Sequence, residues 1–248
     1  MGAWADQLIP AIADEWEVWM MRAVTNLWRL TVGKKVIMAV CGLGLLGFVL
    51  GHLFGNLKIF MGREHFNEYA SWLRVMGEPL LPAGMALWAF RIGLLVIVVL
   101  HVLIAWQLYV LSQTARPIQY RVNDTKLVDS RVSLFMRITG VALAVFILFH
   151  LMDLTWGWTD PVNFVHGDAY SNVVRSFSRG WVFWLYVIAM GTLCLHLYHG
   201  IYSALQTLGL NSPRYNALRR PVAAIVAIGL LLGNCLMPIC VQLGLLSL

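Results

Sequence analysis

The chain has 248 residues, of which 60% are hydrophobic and only 12% charged, and its formal net charge is +6. Soluble domains carry roughly twice that share of charged residues, so an ordinary water-soluble fold is excluded. The positive balance is spread so unevenly over the loops that it reads as a topology signal, not as a surface for nucleic acid.

Residues 1–32 open with "MGAWADQLIP", which is acidic and lacks the short apolar run and small-residue site of a cleavable signal peptide. They continue into "EWEVWMMRAVTNLWRL", whose aromatics and scattered charges read as an amphipathic cytoplasmic or interfacial segment. From 33 to 248 the reading is a single all-α unit. Crossing a hydrocarbon layer of ~30 Å takes about 20 apolar residues, and five such runs follow, at approximately 36–57, 86–110, 134–156, 181–205 and 222–246. The expected fold is a polytopic membrane protein with five transmembrane helices in a bundle.

Basic residues set the expected orientation. Arg22, Arg29, Lys34 and Lys35 precede the first run. Arg116, Arg121, Lys126 and Arg131 lie between the second and third, and Arg214, Arg219 and Arg220 between the fourth and fifth. The alternate loops are poorer in cations and diluted by Glu64, Glu68, Glu78, Asp160 and Asp168. The positive-inside rule then puts the N-terminus in the cytoplasm and the C-terminus outside a cytoplasmic (inner) membrane, crossed in multiple passes. Cys41, Cys194, Cys235 and Cys240 all fall inside spans without metal-site spacing and read as packing residues.

Each of the first four runs carries a deep histidine: His52, His101, His150 and His196, with His199 one turn behind the last. Ionisable groups in a span are costly and mark functional sites, the bland alternative being a hydrogen bond to a neighbouring carbonyl. The four lie 16, 15, 16 and 15 residues from the start of their own runs, which is about 22–24 Å from the entry face at a helical rise of ~1.5 Å per residue. Consecutive spans are antiparallel. His52 and His150 therefore share a level near the outer face, and His101 and His196 share one near the cytoplasmic face, with roughly 15 Å between the levels in a ~30 Å core.

Two imidazoles opposed on different helices, twice over, suit haem iron, which accepts two axial nitrogens trans to each other across a flat macrocycle. Zinc wants three or four convergent ligands including thiolates or carboxylates, and these levels offer none. The expectation is two stacked b-type haems, with His52 and His150 as the outer axial pair and His101 and His196 as the inner. Gly47, Gly51 and Gly55, with Gly44 a turn earlier, clear one face of the first span, which suits a macrocycle edge or small-residue helix packing. Arg91, ten residues before His101, falls level with the outer pair and is a candidate propionate partner. Arg137, at the cytoplasmic end of the third span, is a candidate for the inner haem. Snorkelling to the interface is the other reading of both arginines.

The stretches "GKKVIMAVCGLGLLGFVLGHLFGNL", "GREHFNEYASWLR", "RITGVALAVFILFHLMD" and "HLYHGIYSALQTLG" resemble, in order and spacing, the cytochrome b membrane-anchor subunit of succinate dehydrogenase and fumarate reductase. The closer likeness is to its single-subunit, five-span, two-haem type, over roughly residues 30–245. The resemblance implies axial ligands at His52, His101, His150 and His196, paired first with third and second with fourth. His196 carries the match because Gly200 follows four residues later, and His199 is an addition whose role stays open. It also implies a flavoprotein and an iron–sulfur subunit as partners, docked on the cytoplasmic face. The chain would pass electrons between the cluster and membrane quinone in the respiratory chain and tricarboxylic acid cycle, without acting on the dicarboxylate itself. Some members carry a glutamate two residues before the span-four ligand, where Cys194 stands here, so that proton route is not expected. Higher oligomers of the complex are left open.

A quinone, menaquinone or another, needs an apolar slot, hydrogen-bond partners and a proton path. Near the outer haem, Glu64, His65, Glu68 and Trp72 offer these, with Asp153 close to His150. Near the inner haem the candidates are Trp28, Arg29, Thr31 and Lys34, with Tyr198, His199 and Tyr202. The outer site is preferred, because a quinone there gives both haems a use. The competing readings are a di-haem anchor of a hydrogenase or formate dehydrogenase, an ascorbate-linked cytochrome, and a transporter whose histidines relay protons. The first two commonly place two histidines on one span at long spacing, and the third predicts broken helices with paired acids.

Overall fold

A computed structural model describes residues 28–115 and 128–248. The amphipathic segment expected over residues 1–27 and the loop cations Arg116, Arg121 and Lys126 lie outside the described residues. Among those described, all regular structure is helical. In chain order it comprises α1 (Thr31–Leu57) with a 3-10 turn at Lys58–Met61, α2 (Arg63–Val75), α3 (Met85–Thr114), α4 (Val128–Leu154), α5 (Ala169–Ser178), α6 (Gly180–Thr207) and α7 (Pro213–Gln242). Five of these, α1, α3, α4, α6 and α7, are long and apolar enough to cross a membrane. The chain is a multi-pass helical membrane protein.

The spans start earlier than the apolar runs suggested, and the largest difference is in α7. Its helix starts at Pro213 and not at Val222, running through Pro221 and Pro238. Pro213 sits in the first helical turn, where its missing N–H is no loss. Pro221 forfeits one backbone bond, which a membrane helix tolerates when neighbouring helices support it. At the other end the helix stops at Gln242, and Gly244 turns with φ 73°. Gly62 (φ 101°) plays the same part between the 3-10 turn and α2, a left-handed conformation that costs other residues a steric penalty.

Packing is uneven. Ala223, Ala227 and Leu230 of α7 lie buried against Leu197 and Ile201 of α6, with Leu46, Val49 and Leu53 of α1 closing over them. At the face opposite the N-terminal end of α1, a second cluster joins Ile59, Phe66 of α2, Val174 and Phe177 of α5, Val182 and Tyr186 of α6, and Met237 and Val241 of α7. Six of the ten residues of α5 are buried there, so this short amphipathic helix and α2 form a cap over the far ends of the spans. Gln242 Nε2 donates to the Phe177 carbonyl at 2.6 Å and ties α7 into the cap.

The other side is open by comparison. The only buried residue of α3 is Ile104. Among the spans α3 packs closely on α1, α4 on α6, and α1 also on α6 and α7. Neither α1 with α4 nor α3 with α6 forms a closely packed pair. Those two unpaired combinations carry the histidines.

Candidate functional site

Across the first gap, His52 of α1 faces His150 of α4 with ring centroids 5.8 Å apart. Across the second, His101 of α3 faces His196 of α6 at 6.5 Å. The structure thus brings together the two pairs expected from counting along the spans. The two levels are offset as expected too. A Cβ on Gly42, ten residues before His52, would stand 3.4 Å from His101 Cε1, and one on Gly140, ten before His150, would stand 3.6 Å from His196 Cε1. Ten residues of helix rise about 15 Å, so each helix carries its histidine at one level and a glycine opposite the histidine of the other.

Hydrogen bonds orient two of the four rings. Thr139 Oγ1 donates to the Phe135 carbonyl at 2.9 Å, which leaves its oxygen to accept from His196 Nδ1 at 3.1 Å. The His150 ring meets the Tyr186 hydroxyl at 3.1 Å, and that hydroxyl donates to Asp153 Oδ2 at 3.4 Å. With both hydroxyls accepting, each ring carries its proton on Nδ1 and keeps the Nε2 lone pair free, the state a metal-binding imidazole needs. His101 Nδ1 is buried without a hydrogen-bond partner, the Met38 backbone lying beside it but outside bonding geometry. A buried polar atom left so calls for an absent ligand or water. His52 stacks on Phe48 of its own helix at 5.4 Å.

These pairs fit a bis-histidine haem. Two metal–imidazole bonds of about 2 Å, plus roughly 1 Å from nitrogen to centroid on each side, set the ring centres about 6 Å apart. Among the described residues no group of three or more His, Cys, Asp or Glu converges as a cage for a bare metal ion. The glycine stripe of α1 divides between its two readings. Gly55 packs, its would-be Cβ meeting Tyr69 of α2 at 2.9 Å, and Gly44 would touch Ile97 of α3 at 3.7 Å. Gly47 and Gly51 face space that no protein atom occupies within 4 Å.

The remaining candidates scatter. Arg91 stacks on Trp88 of its own helix (5.2 Å), and Arg137 lies over Tyr109 of α3 (4.5 Å) while bonding Ser133 at 3.2 Å. Glu64, Glu68 and Trp72 line an open groove of 710 Å³ along α2, with Arg63, Asn67 and Ser71 beside them. His65 pairs with Glu68 at 3.6 Å, both well exposed. Arg29 is exposed ahead of α1. The Tyr202 ring is taken up by Arg219 and Arg220 of α7, at 4.8 and 5.7 Å, so it joins α6 to α7. His199 lies against Tyr198 at 5.1 Å.

Sequence reasoning noted Asp153 but missed its partners. Its carboxylate is 1% exposed and receives Arg179, Thr159, Ser176 and Tyr186. It also missed Thr139 and Tyr186 as partners of the histidines. A signal was present: Thr139 lies eleven residues before His150 and Tyr186 ten before His196, three turns along the same face, which lands each at the level of the other pair.

Comparison with known proteins adds one finding. Residues 114–234 match the family described as succinate dehydrogenase/fumarate reductase transmembrane subunit. The match takes in most of the last three spans. No curated protein and no solved structure matches the chain.

Proposed function

We propose, with the match of residues 114–234 to the succinate dehydrogenase/fumarate reductase transmembrane-subunit family as the premise, that the chain is the cytochrome b anchor of such a complex. It holds one b-type haem between His52 and His150 and a second between His101 and His196, and serves electron passage between an iron–sulfur subunit and membrane quinone. One observation carries this reading. The paired rings stand 5.8 and 6.5 Å apart on helices that do not pack closely on each other, a separation that suits a flat occupant held from both sides.

When bound, each haem would supply a one-electron carrier held by two histidines, a donor set that favours electron transfer over oxygen chemistry. The chain's own residues do the rest. Thr139 and Tyr186 hold His196 and His150 in the tautomer that leaves Nε2 free. Gly42 and Gly140 give the rings room to turn inward. On the positive-inside reading, the His101/His196 level is cytoplasmic, where the flavoprotein and iron–sulfur subunits would dock. The α2 groove beside Glu64, Glu68 and Trp72 is the better candidate for quinone, menaquinone or another, since its exposed carboxylates exchange protons with water. A proton-relaying transporter finds little support: the spans are unbroken, and Asp153 is matched by Arg179 instead of a second acid.

Redox difference spectra of single variants test the reading. His52→Ala and His150→Ala are expected to remove the same b-type component, and His101→Ala and His196→Ala the other. Loss of components in any other combination overturns the pairing.

A further inference from the structure

The hydrogen bonding behind the two pairs is reciprocal but unequal. Helix α4 lends Thr139 to the histidine of α6, and α6 lends Tyr186 to the histidine of α4. Thr139 ends in its own helix, its hydrogen committed to the Phe135 carbonyl. Tyr186 instead leads on to a charge. Its hydroxyl donates to Asp153 Oδ2, and Ser176 donates to the same oxygen at 2.5 Å. Thr159 and Arg179 donate to Oδ1. A carboxylate offers about four acceptor positions, and here four donors occupy them. That filling keeps Asp153 acceptor-only. The direction of every bond back to His150 then follows: carboxylate accepts from tyrosine, and tyrosine accepts from imidazole.

The tyrosine itself cannot drift. Tyr186 is 6% exposed. Phe177, Phe146 and Phe149 pack around its ring, with centroids at 4.8, 5.0 and 6.3 Å. Arg179, at the N-cap of α6, carries its guanidinium over Trp181 at 5.5 Å, so the anchor is built from both ends of the loop between α4 and α6.

We infer that Tyr186 is a positioning residue for the His52/His150 haem, holding His150 through a hydroxyl polarised by the Asp153–Arg179 pair and so lowering that haem's reduction potential. The inference rests on the haem reading above. A ligand imidazole whose N–H points at a strong acceptor donates more electron density to its metal, and second-shell partners of this kind tune metal sites. Tyr186→Phe removes the acceptor and keeps the ring. Thr139 offers His196 only a neutral acceptor, so the two haems are tuned by different means.

The test is a spectroelectrochemical titration of the purified native complex and its variants. In wild type, two b-type components are expected; a preparation without them defeats the haem reading itself. With two components present, Tyr186→Phe is expected to keep both haems and to shift upward only the component that His52→Ala removes. Thr139→Val is expected to leave that component where it was. If Tyr186→Phe sheds the haem, Asp153→Asn, which retains the Tyr186 hydroxyl but removes the charge behind it, is expected to give an upward shift of the same component. Unmoved potentials, or equal movement of both components, overturn the inference while leaving the haem reading intact.

Discussion

At position 42 a glycine packs directly against the His101 ring that faces His196. The Cβ that any other residue would carry comes to 3.4 Å from the imidazole, already at van der Waals contact, and a branched residue adds methyls beyond it. Gly42→Val is therefore expected to abolish the component assigned to His101 and His196 and to spare the other, as read in the redox difference spectrum of purified protein. Equal loss of both would place the glycine in general folding. The four histidines were legible because depth in a span can be counted: 16, 15, 16 and 15 residues from the start of each run. Their hydroxyl partners were not picked out, since Thr and Tyr occur in spans for many reasons and only the three-turn offset singles out Thr139 and Tyr186. Arg91 and Arg137 were placed at suitable depths, but their guanidinium groups lie on Trp88 and Tyr109. Stacking on an aromatic face competes with the carboxylate partnership that depth alone suggested.

Among the elements, α5 shows what a short amphipathic helix contributes to a membrane bundle. It starts at Asp168, whose side chain accepts from the Ser171 N–H, from Asn67 Nδ2 at 2.9 Å and from Arg63 of α2. Burial pushes this carboxyl up, but the hydrogen bonds from Asn67, Ser171 and Arg63 outweigh it and hold it at about 2. A carboxyl depressed below its ordinary value of about 3.9 stabilises the fold above that pH and loses the contribution as pH falls toward the folded value. Melting of the solubilised protein is thus expected to soften for wild type between pH 4 and pH 2, with Asp168→Asn declining less over the same window. Asp168→Ala is expected to cost about 1 kcal/mol at neutral pH, the usual loss of an N-cap. Parallel pH curves for wild type and Asp168→Asn would show that the cap does not depend on charge. Nothing in the sequence advertised the Arg63–Asp168 contact, because its partners lie 105 positions apart. The run at 222–246 marked only the apolar part of α7, because hydropathy does not register the polar turns between Pro213 and Pro221 that the helix also includes.

Across the whole molecule, five spans arrange themselves so that the tightest contacts fall on one side, between α6, α7 and α1, while α3 and α4 stand apart from the partners that their histidines face. Hydrophobic runs of suitable length made the five-span architecture legible, since each run must satisfy its own backbone in lipid and only a helix does so within one segment. Which spans adjoin was not legible, because apolar faces in a bilayer carry no amphipathic signature to mark the inside. The gap between non-adjacent helices is where fold and function meet. Facing imidazoles reach across it at two heights separated by about 15 Å of helix. The count of protohaem per chain in the purified native complex, by pyridine haemochrome against quantitative amino-acid analysis, bears on this most directly. Two b-type haems for each copy of the chain is the expected result; one or none would contradict it.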